Sequence, residues 1–106
     1  MAQLPQADGT LKRRPIVILR EMPKYRDLLV CGISTQLHQE IKNFDDIISP
    51  NDADFTGSGL KAESLIRVGF LNVLLRKDIL GKIGEMSAER HQRLLKNLSD
   101  YLTKQT

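Results

Sequence analysis

A chain of 106 residues, 41% hydrophobic and 27% charged with a net charge of +3, has the size of one globular domain and is too apolar for a disordered segment. Its single cysteine, Cys31, excludes an intrachain disulfide and leaves a zinc site without a ligand set. No apolar run approaches the roughly 20 residues of a membrane span and no signal-peptide pattern opens the chain, so the expected setting is cytoplasmic, with no membrane partner.

The positive charge is uneven. Lys12, Arg13, Arg14, Arg20, Lys24 and Arg26 crowd the first quarter, against Asp8, Glu21 and Asp27. This balance permits an anionic partner without demanding one. Pro5 to Thr10 is a loop with Asp8-Gly9 as its turn signal. From about Arg14 to Arg20 the β-branched and apolar run Ile16-Val17-Ile18-Leu19 predicts a strand buried on both faces. Pro15 lacks an N–H for the ladder and belongs at the strand's first position, which puts the cationic group at a sheet rim.

Glu21 to Arg26 is a polar connector, and Asp27 to Ser34 reads as a second buried strand around a buried Cys31 thiol. Thr35 to Asn43 is a loop or a single helical turn. Phe44 to Ile48 is expected as a strand carrying Asp45 and Asp46, and Ser49 to Gly59 as loop and turn. Ser64 to Leu74 predicts a long extended element in which Gly69 marks a bulge or a bend. Arg76-Lys77-Asp78 forms a turn, and Ile79 to Ile83 a short strand or turn broken by Gly81 and Gly84.

Ser87 to Lys104 is the clearest helix. Ser87 is suited to the N-cap, Glu89 to the positive end of the dipole, and Leu94, Leu95, Leu98, Tyr101 and Leu102 form one apolar stripe for the core. Several short strands followed by one closing helix predict an α+β fold, or a small barrel with a helix packed on it.

The chemistry these residues allow is narrow. His38 and His91 lack ligand spacing, and Cys31 sits mid-strand among apolar residues where a thiol is not activated. Phosphate-loop and dinucleotide fingerprints are absent, and Gly57-Ser58-Gly59 reads as a turn. What remains is Arg14 with Ser34-Thr35-Gln36, two sets at strand ends. If the strands are neighbours, a guanidinium and one or two hydroxyls converge on one phosphate. RNA carries its own nucleophile, the 2′-hydroxyl, so such a site cleaves by orienting that group and stabilising the phosphorane charge. The competing readings are a solubilising charge cluster and ordinary turn chemistry.

Thr10-Leu11-Lys12-Arg13-Arg14-Pro15-Ile16-Val17-Ile18-Leu19 resembles a motif of MazF/PemK-type toxins of bacterial toxin–antitoxin systems, a basic loop ending in Arg-Pro before a strand. Leu29 to Gln36 is similar to their strand ending in Ile-Ser/Thr-x-Gln, and Gly59 to Arg67 to their Gly-Leu-x-x-x-Ser-x-Ile-Arg pattern. Lys82-Ile83-Gly84 and the closing helix also fit, so the motifs span nearly the whole chain as a single domain.

The resemblance implies an SH3-like β-barrel with a C-terminal helix, in a homodimer. It implies a metal-independent endoribonuclease without cofactors that cleaves single-stranded RNA, an antitoxin protein that blocks the RNA groove, and DNA binding by the toxin–antitoxin complex. By motif position Arg14 is the catalytic arginine and Ser34 stands where the family carries a catalytic Thr or Ser. Thr35 and Gln36 become RNA-contacting positions, and Lys12 and Arg13 steer phosphates.

The chain departs from the pattern at its start. The family's first strand, of the type Gly-Asp-Ile-Val-Leu-Val, is matched only at its tail by Met1-Ala2-Gln3-Leu4, so an N-terminally truncated domain with an exposed edge is expected. The alternative function is a non-catalytic module that binds an antitoxin or another protein, as the similar barrel of gyrase-poisoning toxins does.

Overall fold

A computed structural model of the chain describes residues 2–5 and 11–104, with side chains from residue 14 to residue 104. Of the loop expected from Pro5 to Thr10, Pro5 instead ends a strand and residues 6–10 lie outside the described residues. Two short strands, β1 (Ala2–Pro5) and β2 (Leu11–Arg14), pair antiparallel. β2 passes through Pro15 into β3 (Ile16–Glu21), so the proline stands just ahead of a strand, where its missing N–H leaves the ladder intact. β4 (Leu28–Ser34), β5 (Asp46–Ile48) and β6 (Ser64–Leu74) complete a curled antiparallel sheet in the order β3-β4-β6-β5. A one-turn helix α1 (Phe55–Ser58) interrupts the loop expected between β5 and β6, and α2 (Ala88–Thr103) closes the chain. The fold is α+β, with a half-barrel sheet and a C-terminal helix.

Both faces of the sheet are used. On one, Val17, Leu19, Cys31, Ile33, Ile48, Ile66 and Val68 pack beneath Leu94 and Leu98 of α2. Leu94 is fully buried, which is worth about 1.5–3 kcal/mol for such a side chain. On the other, Leu28, Val30 and Leu74 form a smaller cluster with Ile16, Phe70 and Ile79. β4 is buried along both faces, as its unbroken apolar run predicts.

Three sequence expectations change. β3 is not buried on both faces: Val17 and Leu19 pack in the cluster under α2, while Ile18, on the opposite face, is 46% exposed. The strand expected at Phe44 to Ile48 begins at Asp46, because Asn43 takes a left-handed φ of 63° and turns the chain just before it. Thr35 to Asn43 holds, as expected, a single helical turn, of 3₁₀ type, at Leu37–Gln39. The apolar stripe of α2 is core only as far as Leu98; Tyr101 and Leu102 overrun the sheet and stay exposed.

Arg90 fastens α2 to the strand layer. The N-cap forms as expected, with the Ser87 hydroxyl accepting from Arg90 N–H at 3.1 Å. The buried Arg90 guanidinium donates to Asp54, Asp46, Asp52 and the Ile47 carbonyl. Burial alone disfavours its charge, but the Asp54 hydrogen bonds and the Asp46 charge outweigh it and hold Arg90 firmly protonated. The same contact, together with the Ser87 N–H, holds the Asp54 carboxyl well below the usual carboxylate range. Nothing in the spacing of Asp46, Asp52 and Asp54 announces this clamp, because the cation arrives from a distant part of the chain.

Candidate nucleic-acid interface

Strand register brings the two halves of the predicted site together. Between β3 and β4, Ile16 faces Gly32, Val17 faces Cys31 and Ile18 faces Val30. The Ile33 N–H donates to the Pro15 carbonyl at 3.2 Å, so the pairing runs on past the start of β3. Continued by one residue, the same register sets Arg14, at the end of β2, level with Ser34. Directly opposed residues of an antiparallel pair project to the same face. That face is the one away from α2, shared with Ile16 and Val30.

The neighbouring strand adds a cation. Across β4, Gly32 faces Arg67 and Ser34 faces Leu65. The register then shifts between Cys31 and Gly32, which face Leu71 and Arg67, so Val68, Gly69 and Phe70 form a bulge in β6. Gly69 is the sequence signal for it. The bulge frees the Val68 N–H from the ladder, and the buried Asp45 carboxylate accepts it at 3.0 Å. The other Asp45 oxygen accepts from Ile41 N–H. The bulge also turns Phe70 over Gly32: a Cβ there would lie 2.7 Å from Phe70 Cδ1. The Arg67 guanidinium stands 5.5 Å from the centroid of the same ring. Arg67 therefore joins Arg14 and Ser34 on one face; in the sequence it is one position of a motif, with no role of its own.

Each predicted residue has a distinct setting. Arg14 is half-buried at the rim of the sheet. Ser34 is buried, 8% exposed, at the end of β4, and its Oγ accepts the Gln36 N–H at 3.0 Å. Because Oγ accepts that bond, its own proton is left to donate. Thr35 and Gln36 are exposed beyond it. Lys12 and Arg13 lie on β2, with side chains outside the described residues. Cys31 is fully buried with its pKa pushed up to about 12 by burial, so it is a packing residue. Asp46, Asp52 and Asp54 are occupied by Arg90 and belong to the clamp.

Beside this face an apolar cavity of about 840 Å³ runs along the outer edge of β3, walled by Ile16, Ile18, Ile79, Ile83 and Met86. His91 of α2 reaches that edge, with Nε2 2.9 Å from the Leu19 carbonyl and 3.2 Å from that of Ile18. His38 is exposed on the other side of β4's end. No helix among the described residues is long and apolar enough to cross a membrane.

Compared with known proteins, residues 1–102 match the family model described as PemK-like, MazF-like toxin of type II toxin–antitoxin system. No curated protein matches the chain.

Proposed function

The chain belongs to the PemK-like, MazF-like toxins of type II toxin–antitoxin systems, and from that membership we propose that it is a metal-independent endoribonuclease that cuts single-stranded RNA and is neutralised by a cognate antitoxin. What supports the reading is the β3–β4 register: continued one residue past the Ile33 N–H to Pro15 carbonyl bond, it sets Arg14 opposite Ser34, with Arg67 across β4 from Gly32.

The reaction needs little covalent chemistry from the protein. The RNA 2′-oxygen attacks the adjacent phosphorus and loses its proton. The bond to the 5′-oxygen breaks and that oxygen gains a proton. The products are a 2′,3′-cyclic phosphate and a 5′-hydroxyl. Negative charge builds on the non-bridging oxygens as the phosphorane forms. The planar Arg14 fork is matched to two of those oxygens and stabilises them more than it does the ground state. Ser34 donates its hydroxyl proton to one phosphate oxygen and fixes its orientation. Arg67 supplies a further cation for the backbone. Thr35 and Gln36, exposed at the end of β4, contact the flanking nucleotide, and Lys12 and Arg13 steer the strand towards the face. The domain works in the cytoplasm, as a homodimer, and in complex with its antitoxin it binds DNA.

The test is incubation of the purified protein with single-stranded RNA in EDTA. Cleavage that survives the chelator and disappears in Arg14→Ala supports the reading; a folded protein that leaves RNA intact ends it.

The burial of Ser34 favours a second reading, a module that binds an antitoxin without cutting RNA. A pull-down with the antitoxin encoded beside this protein, run alongside the cleavage assay, separates the two: binding without cleavage selects the second.

A further inference from the structure

At the end of β3 opposite to Arg14, the chain turns through Pro23-Lys24-Tyr25-Arg26 into β4. Tyr25 sits at this turn with 75% of its surface exposed, the most of any large apolar side chain among the described residues. An aromatic ring left in water gains nothing for the fold. The loop that carries it is nevertheless fixed. The Met22 N–H donates to the Asp27 carbonyl at 2.7 Å and the Tyr25 N–H to the Pro23 carbonyl at 2.9 Å. Glu21 accepts Arg26 Nε at 2.6 Å and Arg76 Nη2 at 2.8 Å, while Arg76 Nε donates to the Arg26 carbonyl at 3.2 Å. Lys24 and Arg26 flank the ring in left-handed conformations, with φ of 71° and 64°. Neither residue is a glycine, so each conformation costs energy that the bracing must offset.

The loop is also cationic. Lys24 Nζ lies 5.2 Å from the Tyr25 ring centroid. Arg20, Lys24, Arg26, Arg76 and Lys77 are all exposed around it, and Glu21 is shared between two of them. A shallow groove of about 490 Å³, lined by Arg20, Lys24, Arg26 and His91, leads from this loop along β3. It meets the larger cavity at Ile18 and His91, and the larger cavity reaches Ile16, two residues from Arg14. A rigid exposed ring between cations is the arrangement that single-stranded nucleic acid selects: bases stack on the ring while phosphates take the charges.

We propose that Tyr25 is a stacking platform for an unpaired base of single-stranded RNA, with Lys24 and Arg26 holding the phosphates on either side. The platform lies beyond Glu21, itself about 17 Å along β3 from Ile16 at the usual rise per residue of a strand. It is thus a second contact on the RNA, remote from the cut. The proposal rests on RNA being the substrate and adds where a flanking nucleotide is held.

The experiment measures binding and cleavage separately. Binding is read by fluorescence anisotropy with a 2′-O-methyl oligoribonucleotide, which has no free 2′-hydroxyl to attack. Tyr25→Ala is expected to weaken binding by about 5- to 150-fold, the loss of one base–aromatic stack. Tyr25→Phe and Tyr25→Trp keep a ring and bind like the wild type, and binding to duplex RNA is the same in all four proteins. The chain has two tyrosines and no tryptophan, so in Tyr101→Phe the remaining tyrosine emission reports on Tyr25 and is quenched by the oligonucleotide. On a cleavable strand Tyr25→Ala raises KM and leaves kcat unchanged. Unchanged affinity in Tyr25→Ala overturns the proposal, and so does an equal loss in Tyr25→Phe or a wild type that binds no RNA. Tyr25-dependent binding without any cleavage supports the platform and removes only the nuclease reading.

Discussion

Arg90 grips Asp54 with two prongs, Nε to one carboxylate oxygen at 2.9 Å and Nη2 to the other at 3.1 Å. The pair joins the N-terminal turn of α2 to the loop before α1, and both side chains are largely out of water. Removing one partner strands the other charge. Arg90→Ala should therefore lower the unfolding free energy by about 3–5 kcal/mol, read from urea denaturation followed by circular dichroism. A loss comparable to that of a surface substitution would show that the clamp is not what holds α2 in place.

The same pair sets an acid limit. Asp54 titrates lower in the folded protein than its ordinary value of 3.8, so the unfolded chain binds its proton first. The stabilisation is fully present above that ordinary value and is lost as pH falls through the folded one. Asp54→Asn should be less stable than wild type at neutral pH, and the gap between them should narrow on acidification. A constant gap across that range would assign the acid sensitivity elsewhere.

Ser34 offers a test of chemistry against packing. Ser34→Thr keeps the hydroxyl and should retain cleavage. Ser34→Ala removes the proposed proton donor to the phosphate and should lower kcat about 100-fold or more. It also leaves the Gln36 N–H without its acceptor, so thermal unfolding must be measured beside the rate. A folded Ser34→Ala protein with wild-type kcat would take the hydroxyl out of the mechanism.

Arg67 stands over Phe70 on the same face and is expected to bind backbone rather than to act at the cut. Arg67→Ala should weaken RNA binding for all sequences alike, and the slope of log affinity against log salt should flatten by about 0.7. A sequence-dependent loss with an unchanged slope would make Arg67 a reader of bases instead.

Gly84 sits where a Cβ would overlap the Gly57 carbonyl oxygen, a backbone atom that also accepts the Glu85 N–H. Gly84→Ala must push two loops apart and should cost about 1–3 kcal/mol. Gly81→Ala meets nothing within 4 Å and serves as the neutral control in the same thermal melts.

Elements with a periodic signature are legible in the order of residues alone. β4 declares itself by an unbroken apolar run, α2 by its N-cap serine and leucine stripe, and the β6 bulge by Gly69. β3 misleads because an apolar run reports hydrophobicity and not what packs on each face of a strand; only the fold shows that the face carrying Ile18 is left open. The pairing of Arg14 with Ser34 is legible as two polar strand ends, but their opposition depends on register, which neither strand encodes alone. The Arg90 clamp is invisible in the sequence because Asp46 starts a strand while Asp52 and Asp54 sit in a turn-rich segment where such residues are ordinary. Arg67 has only a motif position there, and the Phe70 ring that supports it is placed by the bulge.

In the proposed mechanism one guanidinium from the start of the sheet stabilises the charge that develops on a cleaved phosphodiester. Single-turnover cleavage of single-stranded RNA in EDTA, comparing wild type with Arg14→Ala and with Arg14→Lys, all shown to be folded, decides it. Chelator-resistant cleavage by wild type is expected, with a loss of about 100- to 1,000-fold in Arg14→Ala and partial recovery in Arg14→Lys, which restores charge without the fork. Equal rates in wild type and Arg14→Ala, or a wild type that leaves the RNA whole, would contradict it.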